Sequence, residues 1–225
     1  MGEFDRIISD FPNYQLCFID DGSTDGTNKI LEQLQLKCCD RVYVLTSLSN
    51  CGKAEAIRKG VNFLLTKSNF DMLGFMDADL STPFYEIDYM ASLLSESKDY
   101  EIICGSRIKR MGAKIVRKNI RHYAGRVIAT IISIALKMPF YDTQCGAKVM
   151  SLNVAKLCFQ EPFISTWLFD MEIFKRMQRY FKMQTENIIY EHPLREWVHK
   201  EESKVRFTYL FMLPIHLFKI QLRYR

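Results

Sequence analysis

Two aspartates one residue apart, Asp77 and Asp79, carry the clearest chemical signal in the sequence. They come directly after an apolar run that ends at Met76, and Ser81-Thr82-Pro83, a typical helix start, follows them. Two carboxylates at the end of a strand suit a hard divalent cation such as Mg²⁺ or Mn²⁺, which prefers oxygen ligands and keeps positions open for diphosphate oxygens. The alternative is that one aspartate caps the next helix and the other is solvated.

Two further polar loops also follow apolar runs. The segment Asp20-Asp21-Gly22-Ser23-Thr24-Asp25-Gly26-Thr27 contains glycines that permit a tight turn, and either Ser23 or Thr24 can cap the helix that follows. Its first carboxylate can accept hydrogen bonds from a base or a ribose. Asn50-Cys51-Gly52-Lys53 offers N–H groups and one ammonium to a phosphate at a helix start. Each loop taken alone is also consistent with a turn that binds no ligand.

Short β-rich runs alternate with helical stretches through the first half of the chain. The predicted strands are residues 14–20, 42–46, 72–77 and 101–105, and the predicted helices are residues 24–36, 52–66 and 83–97. This alternation predicts an α/β fold with a mostly parallel sheet flanked by helices. Ligands of open α/β sheets bind at the carboxyl ends of the strands, so we expect the three polar loops to converge on one site.

The second half of the sequence is less regular. We predict helices at residues 117–137 and 167–180, and strands near Lys148 and at residues 187–190. Residues 205–225 are rich in Phe, Leu, Ile and Tyr, contain no acidic residue and have Pro214 near their middle, which predicts an amphipathic helix pair or a kinked helix suited to a membrane surface. We therefore expect one domain over residues 1–204 and a helical segment over residues 205–225.

Charge is distributed unevenly along the 225 residues. The net charge is +5, and residues 102–141 hold nine Lys or Arg and no acidic residue. This segregation predicts a cationic surface whose candidate partners are phosphate groups, anionic lipid headgroups or nucleic acid. The seven cysteines lack metal-site spacing, which is typical of reduced thiols in cytosol. No uncharged apolar run is long enough to cross a bilayer, so we expect a chain that is soluble or lies on a membrane.

In combination, these motifs resemble a known family. The three polar loops, with Ala56, Gly60 and Leu80, occur in the order and spacing of family 2 glycosyltransferases of GT-A fold. Four later segments resemble the dolichyl-phosphate glucosyltransferase and polyprenyl-phosphate glycosyltransferase group. They are Gly105-Ser106-Arg107, Asp142-Thr143-Gln144-Cys145-Gly146, Trp167-Leu168-Phe169-Asp170-Met171-Glu172 and Ser203-Lys204. The resemblance covers residues 14–204.

The resemblance implies a role for each matched residue. The nucleotide-sugar donor would be bound by Asp20 and Asp21 at the nucleoside end, and its diphosphate by a metal on Asp79 and Asp77, of which Asp79 is the firmer ligand. The acceptor phosphate would meet Arg107, Arg117 and Arg121. Lys204 would come from a mobile loop over the donor, and Lys53 would assist the leaving diphosphate. The sugar would face Asp170 and Glu172.

The resemblance also implies a reaction. We expect metal-assisted, inverting transfer of a sugar, with glucose on uridine diphosphate favoured, to a polyprenyl or dolichyl phosphate at the cytoplasmic face of a membrane, in glycan or cell-surface polysaccharide synthesis. A lipid monophosphate is already largely ionised near neutral pH, since its second pKa is about 6, so it needs orientation by cations and no general base. The alternative is a soluble family 2 enzyme with a saccharide acceptor, which needs a base such as Asp170 or Glu172.

The sequence departs from the family pattern before Asp20. Family members normally begin with a strand that ends in a Pro, Tyr, Asn, Glu cluster, whereas residues 1–14 are predicted to be the end of a helix. We therefore expect a sheet that lacks the usual first strand, with exposed edges that weaken nucleotide binding and favour a homodimer. Two other classes are disfavoured. A haloacid-dehalogenase-type phosphotransferase needs a later acidic pair, and a nucleic-acid-binding module needs interleaved stacking aromatics.

Overall fold

The computed structural model describes residues 2–67, 70–116, 119–200 and 208–224, without the side chains of residues 119–124 and 208–211. The chain divides into two compact units, Met1–Ser68 and Asn69–Arg225.

The first unit is a pair of parallel strands covered by helices. Its elements are α1 (Gly2–Asp10), β1 (Leu16–Asp20), α2 (Thr27–Lys37), β2 (Val42–Thr46) and α3 (Lys53–Leu65). β1 and β2 pair in parallel, with Asp20 opposite Thr46, so the residues that follow both strands emerge at the same edge. Ile8, Leu34 and Val42 form the buried core. The helix predicted ahead of the first strand is confirmed as α1.

The second unit contains a mixed four-stranded sheet. Its elements are β3 (Met72–Met76), α4 (Phe84–Glu96), β4 (Ile102–Ser106), β5 (Lys114–Val116), α5 (Asn119–Leu136), β6 (Ala147–Ser151), α6 (Leu152–Phe159), α7 (Phe169–Phe181), a 3₁₀ turn (Lys182–Gln184), β7 (Ile189–Pro193), β8 (Glu196–Val198) and α8 (Thr208–Arg223). The strand order is β3-β6-β4-β7, and a separate small sheet pairs β5 with β8.

Most of the described strand pairs are parallel, as predicted. β1 with β2, β4 with β7 and β5 with β8 are parallel, whereas β6 runs antiparallel to both β3 and β4. Each predicted strand and helix of the first half is present, with ends that differ by three residues or fewer. The prediction missed β5, β8 and α6. The two strands are only three residues long, which is too short to display an alternating pattern.

The core of the second unit includes charged side chains as well as apolar ones. All five residues of β4 are buried, and α7 buries eight of its thirteen residues. Lys148 and Glu172 are completely buried, and Glu86 and Asp170 are nearly so. Buried charges are costly unless each is paired or hydrogen-bonded. The groups that pair with these buried charges therefore fix the loops of this unit.

Candidate functional site

Two of the three polar loops are joined by one carboxylate in the first unit. Asp21 accepts hydrogen bonds from the backbone N–H groups of Cys51, at 2.9 Å, and Gly52, at 2.7 Å. Gly22, the residue after Asp21, has φ +80°. A Cβ at Gly22 would lie 2.9 Å from the carbonyl carbon of Ser49. Only glycine fits this approach without strain. The predicted convergence is thus confirmed for the loops that follow β1 and β2.

Asp20 is buried with half of its carboxylate unsatisfied. Oδ1 accepts a hydrogen bond from the N–H of Ser23 at 2.9 Å, whereas Oδ2 is buried and receives no hydrogen bond from the described residues. A buried oxygen without a donor is costly, so a ligand N–H or O–H at this point would be favoured. This environment is consistent with the predicted contact between Asp20 and a nucleoside.

The predicted cap of α2 is wrong in detail. The residue before the helix is Gly26, in the left-handed region at φ +86°, and no side chain caps the helix from that position. Instead of Ser23 or Thr24, Asp25 accepts hydrogen bonds from the N–H of Thr27 at 3.1 Å and from its hydroxyl at 2.6 Å. The glycine lets the chain turn into the helix three residues later than the sequence pattern indicated.

A cleft of about 490 Å³ lies beside these loops, within the size range of small-ligand sites. Ser47, Ser49 and Cys51 line it, together with Lys59, whose Nζ lies 3.3 Å from the hydroxyl of Ser47. Lys53, the predicted phosphate contact, is the exposed first residue of α3. Lys59 was not predicted to take part in the site. Its spacing of six residues from Lys53 along a helix gave no sign that it lines a cleft.

The loop after β3 presents the two predicted metal ligands differently. Asp79 is exposed, and its Oδ1 accepts a hydrogen bond from the N–H of Ser81 at 2.8 Å. Asp77 is half-buried against Gly146, where an added Cβ would lie 2.1 Å from Asp77 Oδ2. Leu80 has φ +54°, which is unfavourable for a side chain of its type. A strained turn therefore holds the two carboxylates, as is common where a loop serves a ligand.

The donor set of this loop fits a divalent cation. Within the part of the chain that the structure describes, no group of three or more His, Cys, Asp or Glu could hold a metal by itself. Mg²⁺ and similar ions are commonly held by one or two carboxylates together with substrate phosphates and water. Asp79 and Asp77, one exposed and one half-buried, meet that requirement.

Arg107 is held by a carboxylate that the sequence analysis did not pair with it. Its Nε and Nη2 donate to the two oxygens of Asp142 at 2.6 and 2.8 Å. The guanidinium also lies 5.4 Å from the ring centre of Trp197. Burial alone would lower the pKa of Arg107, but the Asp142 carboxylate outweighs it and the net shift is upward. Arg107 is therefore a fixed cation whose charge Asp142 balances.

Asp142 is itself positioned by β7. The backbone N–H groups of Tyr141 and Asp142 donate to the carboxylate of Glu191 at 2.7 and 2.5 Å. A chain of contacts thus runs from Glu191 through Asp142 to Arg107. The predicted contact between Arg107 and the acceptor phosphate stays a prediction. Such a contact would use the guanidinium N–H groups that do not donate to Asp142.

Asp170 and Glu172 are buried, although the resemblance placed them at the sugar. Asp170 lies 2.6 Å from the ammonium of Lys148. Glu172 accepts hydrogen bonds from the N–H groups of Ile164 at 3.0 Å and Ser165 at 2.8 Å. Burial raises the pKa of Glu172, and these amides oppose the shift only in part. Both carboxylates are engaged inside the second unit, which weighs against direct contact with a sugar.

Three predicted cations cannot be placed. Arg117 and Lys204 lie outside the described residues, and Arg121 lies on α5 in the stretch whose side chains are not described. Their predicted roles stay predictions.

Lys148, by contrast, was not predicted to take part in the site. A single lysine within the otherwise largely apolar segment Ala147–Ser151 is the signal that could have indicated a buried, paired charge.

The described geometry defines the class of protein. It is an α/β protein with carboxylates at the ends of parallel strands, a loop that suits a metal-bound diphosphate and a fixed arginine. Residues 4–156 match the family model for Glycosyl transferase family 2, which is more than half of the chain. The chain belongs to glycosyl transferase family 2.

Several named proteins are similar in sequence to this chain. The chain is similar to dolichyl-phosphate beta-glucosyltransferase from Dictyostelium discoideum, with 27% identity over 94% of this chain and 64% of the relative. It is also similar to the protein of the same name from Homo sapiens, with 28% identity over 94% and 64%. The Mus musculus protein is 30% identical over 71% of this chain and 50% of its own length. The chain therefore spans about two thirds or less of these relatives.

Solved structures support the fold. Mannosyl-3-phosphoglycerate synthase from Rubrobacter xylanophilus superposes with a TM-score of 0.67 and 14% identity, over 99% of this chain and 68% of that one. Glucosyl-3-phosphoglycerate synthase from Mycobacterium tuberculosis, in complex with Mn²⁺, UDP-glucose and glycerol 3-phosphate, gives a TM-score of 0.62 and 16% identity, over 99% and 75%. The GT-A fold predicted from the sequence is confirmed.

Proposed function

We propose that this protein transfers a sugar from a nucleoside-diphosphate sugar to a polyprenyl or dolichyl phosphate, with inversion at the anomeric carbon. The names of the relatives that match most of the chain support the lipid-phosphate acceptor. The observation that carries the proposal is the strained turn after β3, because it holds Asp79 exposed and Asp77 against Gly146 where a metal-bound diphosphate would be recognised. Glucose on uridine diphosphate is the favoured donor, in line with a solved relative's bound UDP-glucose.

The first unit would hold the nucleoside end of the donor. None of the described residues donates to Asp20 Oδ2, which would accept a hydrogen bond from the nucleoside. The adjacent cleft offers the ammonium of Lys59. At the start of α3, Lys53 and the helix N-terminus would favour an anion. Asp21 keeps the loop that contains Cys51 and Gly52 in place for this purpose.

Asp79 and Asp77 would hold Mg²⁺ or Mn²⁺. When bound, such an ion neutralises the charge that develops on a departing diphosphate. Asp77 lies directly against Gly146 and is half-buried, whereas Asp79 is the more accessible carboxylate. Their different exposure supports the prediction that Asp79 is the firmer ligand.

The acceptor phosphate would be oriented by fixed cations. Arg107 is locked by Asp142, and Glu191 in turn locks Asp142, so the guanidinium is held in one orientation before a ligand binds. An ionised phosphate oxygen attacks without losing a proton to the enzyme. The saccharide alternative needs a general base, and its candidates Asp170 and Glu172 are both buried and hydrogen-bonded. This favours the phosphate acceptor.

The second unit also carries a surface suited to a bilayer. Val127 and Ile134 on α5 are 61% and 72% exposed, and Phe218 and Leu222 on α8 are 65% and 52% exposed. The two helices are in contact, since the side-chain amide of Gln221 donates to the carbonyl of Ala135 at 2.6 Å. Among the described helices, none is long and apolar enough to span a membrane. We propose that these two helices lie on the cytoplasmic face, where a lipid phosphate is presented.

Transfer of a radiolabelled sugar tests the proposed function. Purified protein is incubated with labelled nucleotide sugars and polyprenyl phosphate in vesicles, with Mn²⁺, with Mg²⁺ or with a chelator. We expect an acid-labile labelled lipid that forms only with metal. Asp79→Asn keeps an oxygen acceptor for Ser81 but removes the charge, so the rate should fall by about 10²- to 10³-fold while the melting temperature stays close to that of the wild type.

Two outcomes would contradict the proposal. Product formation on a soluble saccharide and none on the lipid phosphate would establish the alternative acceptor. Full transfer in chelator, with Asp79→Asn as active as the wild type, would remove the role of the metal. Asp71→Asn is the matched control, because Asp71 is exposed and precedes the same strand at its opposite end.

A further inference from the structure

We propose that Lys148 and Asp170 form a buried positioning pair that holds residues 142–146 in place, and through them both Asp77 and Arg107. This rests on the proposed function, because the pair would act on the side chains that handle the diphosphate and the acceptor phosphate. It assigns Asp170 the role of counter-ion, in place of a sugar contact or a base.

Lys148 has all of its donors engaged inside the core. Its Nζ donates to Asp170 Oδ1 at 2.6 Å, to the carbonyl of Cys145 at 2.8 Å and to the carbonyl of Thr143 at 3.1 Å. An ammonium has three N–H donors, so these three contacts use every one. Because Lys148 is on β6 and Asp170 is on α7, one side chain ties the loop to both elements.

The loop held by Lys148 touches both functional groups of the second unit. At one end, Asp142 accepts two hydrogen bonds from the Arg107 guanidinium and one from its backbone N–H. At the other end, Gly146 lies so close to Asp77 that a methyl group would not fit between them. Thr143 and Cys145, whose carbonyls Lys148 holds, lie between these two ends. A shift of the loop would therefore move the carboxylate and the guanidinium together.

The charges of the pair are balanced against each other. Burial alone would lower the pKa of Lys148, but the Asp170 carboxylate outweighs it, so the ammonium stays charged. Cys104 and Cys145 are also near, but burial raises the pKa of their thiols to about 12 and about 11, so both are neutral at pH 7. Replacing a buried ion pair by apolar side chains often leaves stability unchanged, whereas removing one partner is strongly destabilising. A variant without both charges can therefore distinguish a role of the pair in positioning the loop from a role in folding.

Three variants test the pair. Lys148→Met with Asp170→Leu removes both charges and the donors to the loop. Asp170→Asn keeps an oxygen that can accept from Lys148. Lys148→Met alone removes the ammonium that faces the Asp170 carboxylate. The matched control is Lys156→Met, which makes the same change at an exposed position of α6 in the same unit. Readouts are thermal melting, amide hydrogen exchange of residues 142–147, the Kd for nucleotide with Mn²⁺, and kcat and KM.

We expect the double variant to melt close to the wild type, yet its loop amides should exchange at least about tenfold faster and kcat should fall by about 10²-fold, as for a misplaced reacting group. Asp170→Asn should keep at least about a tenth of the wild-type kcat, because its oxygen still accepts from Lys148. Inactive Asp170→Asn with unchanged loop exchange would assign Asp170 to the chemistry and overturn the proposal. Unchanged loop exchange and kcat in the double variant would overturn it too.

The exchange and nucleotide-binding readouts need no lipid acceptor. If the wild type formed no labelled lipid but the double variant still showed faster loop exchange and weaker nucleotide binding, the proposed acceptor would fail and the positioning pair would stand. If the wild type formed the lipid product and the double variant matched it in every readout, only the positioning pair would fail. A melting temperature that falls with kcat unchanged would make the pair structural and contradict its positioning role.

Discussion

At the scale of single residues, four acidic side chains hold loop or strand-end backbone in place. Asp21, Glu86, Glu172 and Glu191 each accept hydrogen bonds from two consecutive N–H groups of a loop or strand end. Buried or loop N–H groups must find an acceptor, and a carboxylate offers two oxygens at a suitable separation. The loops around the candidate site are thus fixed by charge-assisted hydrogen bonds that are formed before any ligand binds.

Gly146→Ala tests the contact between Asp77 and the loop. The added Cβ would lie 2.1 Å from Asp77 Oδ2, so the carboxylate must move. We expect a loss of about 10²-fold in metal-dependent transfer, because a displacement of about 1 Å has that effect on a positioned group. Kinetics with varied Mn²⁺ would measure it. Gly2→Ala is the control, since Gly2 lies in a helix and its Cβ would meet nothing within 4 Å; equal activity of both variants would show that Asp77 is not constrained by Gly146.

The cysteines provide a second test at this scale. Burial raises the pKa of Cys17 to about 11 and that of Cys158 to about 12, whereas Cys39 and Cys51 are exposed. The thiolate is the reactive form, so at pH 8 iodoacetamide should modify Cys39 and Cys51 first, and the buried thiols only after denaturation. Peptide mass spectrometry over a time course measures the order. Rapid modification of Cys158 in the native protein would contradict the described core.

At the scale of elements, side chains from helices that are far away in the sequence help to hold the short strands in position. Glu86 on α4 accepts hydrogen bonds from the N–H groups of Arg195 and Glu196 at 2.8 and 2.9 Å, and His192 Nε2 lies 3.4 Å from its other oxygen. These contacts join α4 to the end of β7 and the start of β8. β8 has only three residues, so it depends on such contacts as well as on its pairing with β5.

Glu86→Gln should therefore destabilise the second unit in a pH-dependent way. Burial alone would raise the pKa of Glu86, but His192 and the two amides outweigh it, and the pKa is lowered in the folded state. A lowered pKa gives stability that is present above the unfolded-state value of about 4.5 and is lost as the pH falls through the folded-state value. We expect Glu86→Gln to lower the free energy of unfolding by about 1–3 kcal/mol at pH 7, and by less in acid.

Urea denaturation at pH 7 and pH 4 measures this difference. Glu161→Gln is the control, because the Glu161 side chain is 71% exposed and its ion pair with Arg223 spans 3.5 Å. Exposed pairs of this kind contribute little to stability. A Glu86→Gln variant with the same loss at both pH values would show that packing, and not the ionised carboxylate, accounts for the effect.

At the scale of the whole molecule, the two compact units divide the proposed work. The first unit carries Asp20, Asp21 and the cleft beside α3, which suit the nucleoside end of a donor. The second carries the Asp77 and Asp79 turn, Arg107 and the exposed apolar residues of α5 and α8. The features proposed for the acceptor and for the bilayer therefore lie in the same unit, which suits an acceptor that is itself part of the membrane.

Phe218→Glu, alone or with Ile134→Glu, should weaken binding to anionic vesicles. Each change places a carboxylate where an apolar side chain would enter the bilayer surface, so co-sedimentation should fall by about tenfold or more while the circular dichroism spectrum is unchanged. Leu36→Glu is the matched control, because Leu36 is 81% exposed but belongs to the first unit. Equal binding of Phe218→Glu, Leu36→Glu and wild type would contradict a membrane role for α8.

The sequence by itself was sufficient for features with a local signature. Five-residue strands such as β2, the carboxylates that follow β1 and β3, and the helix before β1 could be predicted because apolar runs, turn residues and helix periods are contiguous in the chain. β5 and β8 could not be predicted, since three residues show no period. The antiparallel direction of β6 also has no local sign.

Only the tertiary structure decided which charges are paired. Arg107 and Asp142 are 35 residues apart, Lys148 and Asp170 are 22 apart, and Glu86 reaches a backbone N–H 109 residues away. An isolated acid looks the same in sequence whether it is solvated, binds substrate or holds a loop. Its state depends on burial and on donors that the fold brings from elsewhere. For this reason the surroundings of Asp170 and Glu172 became visible only in three dimensions.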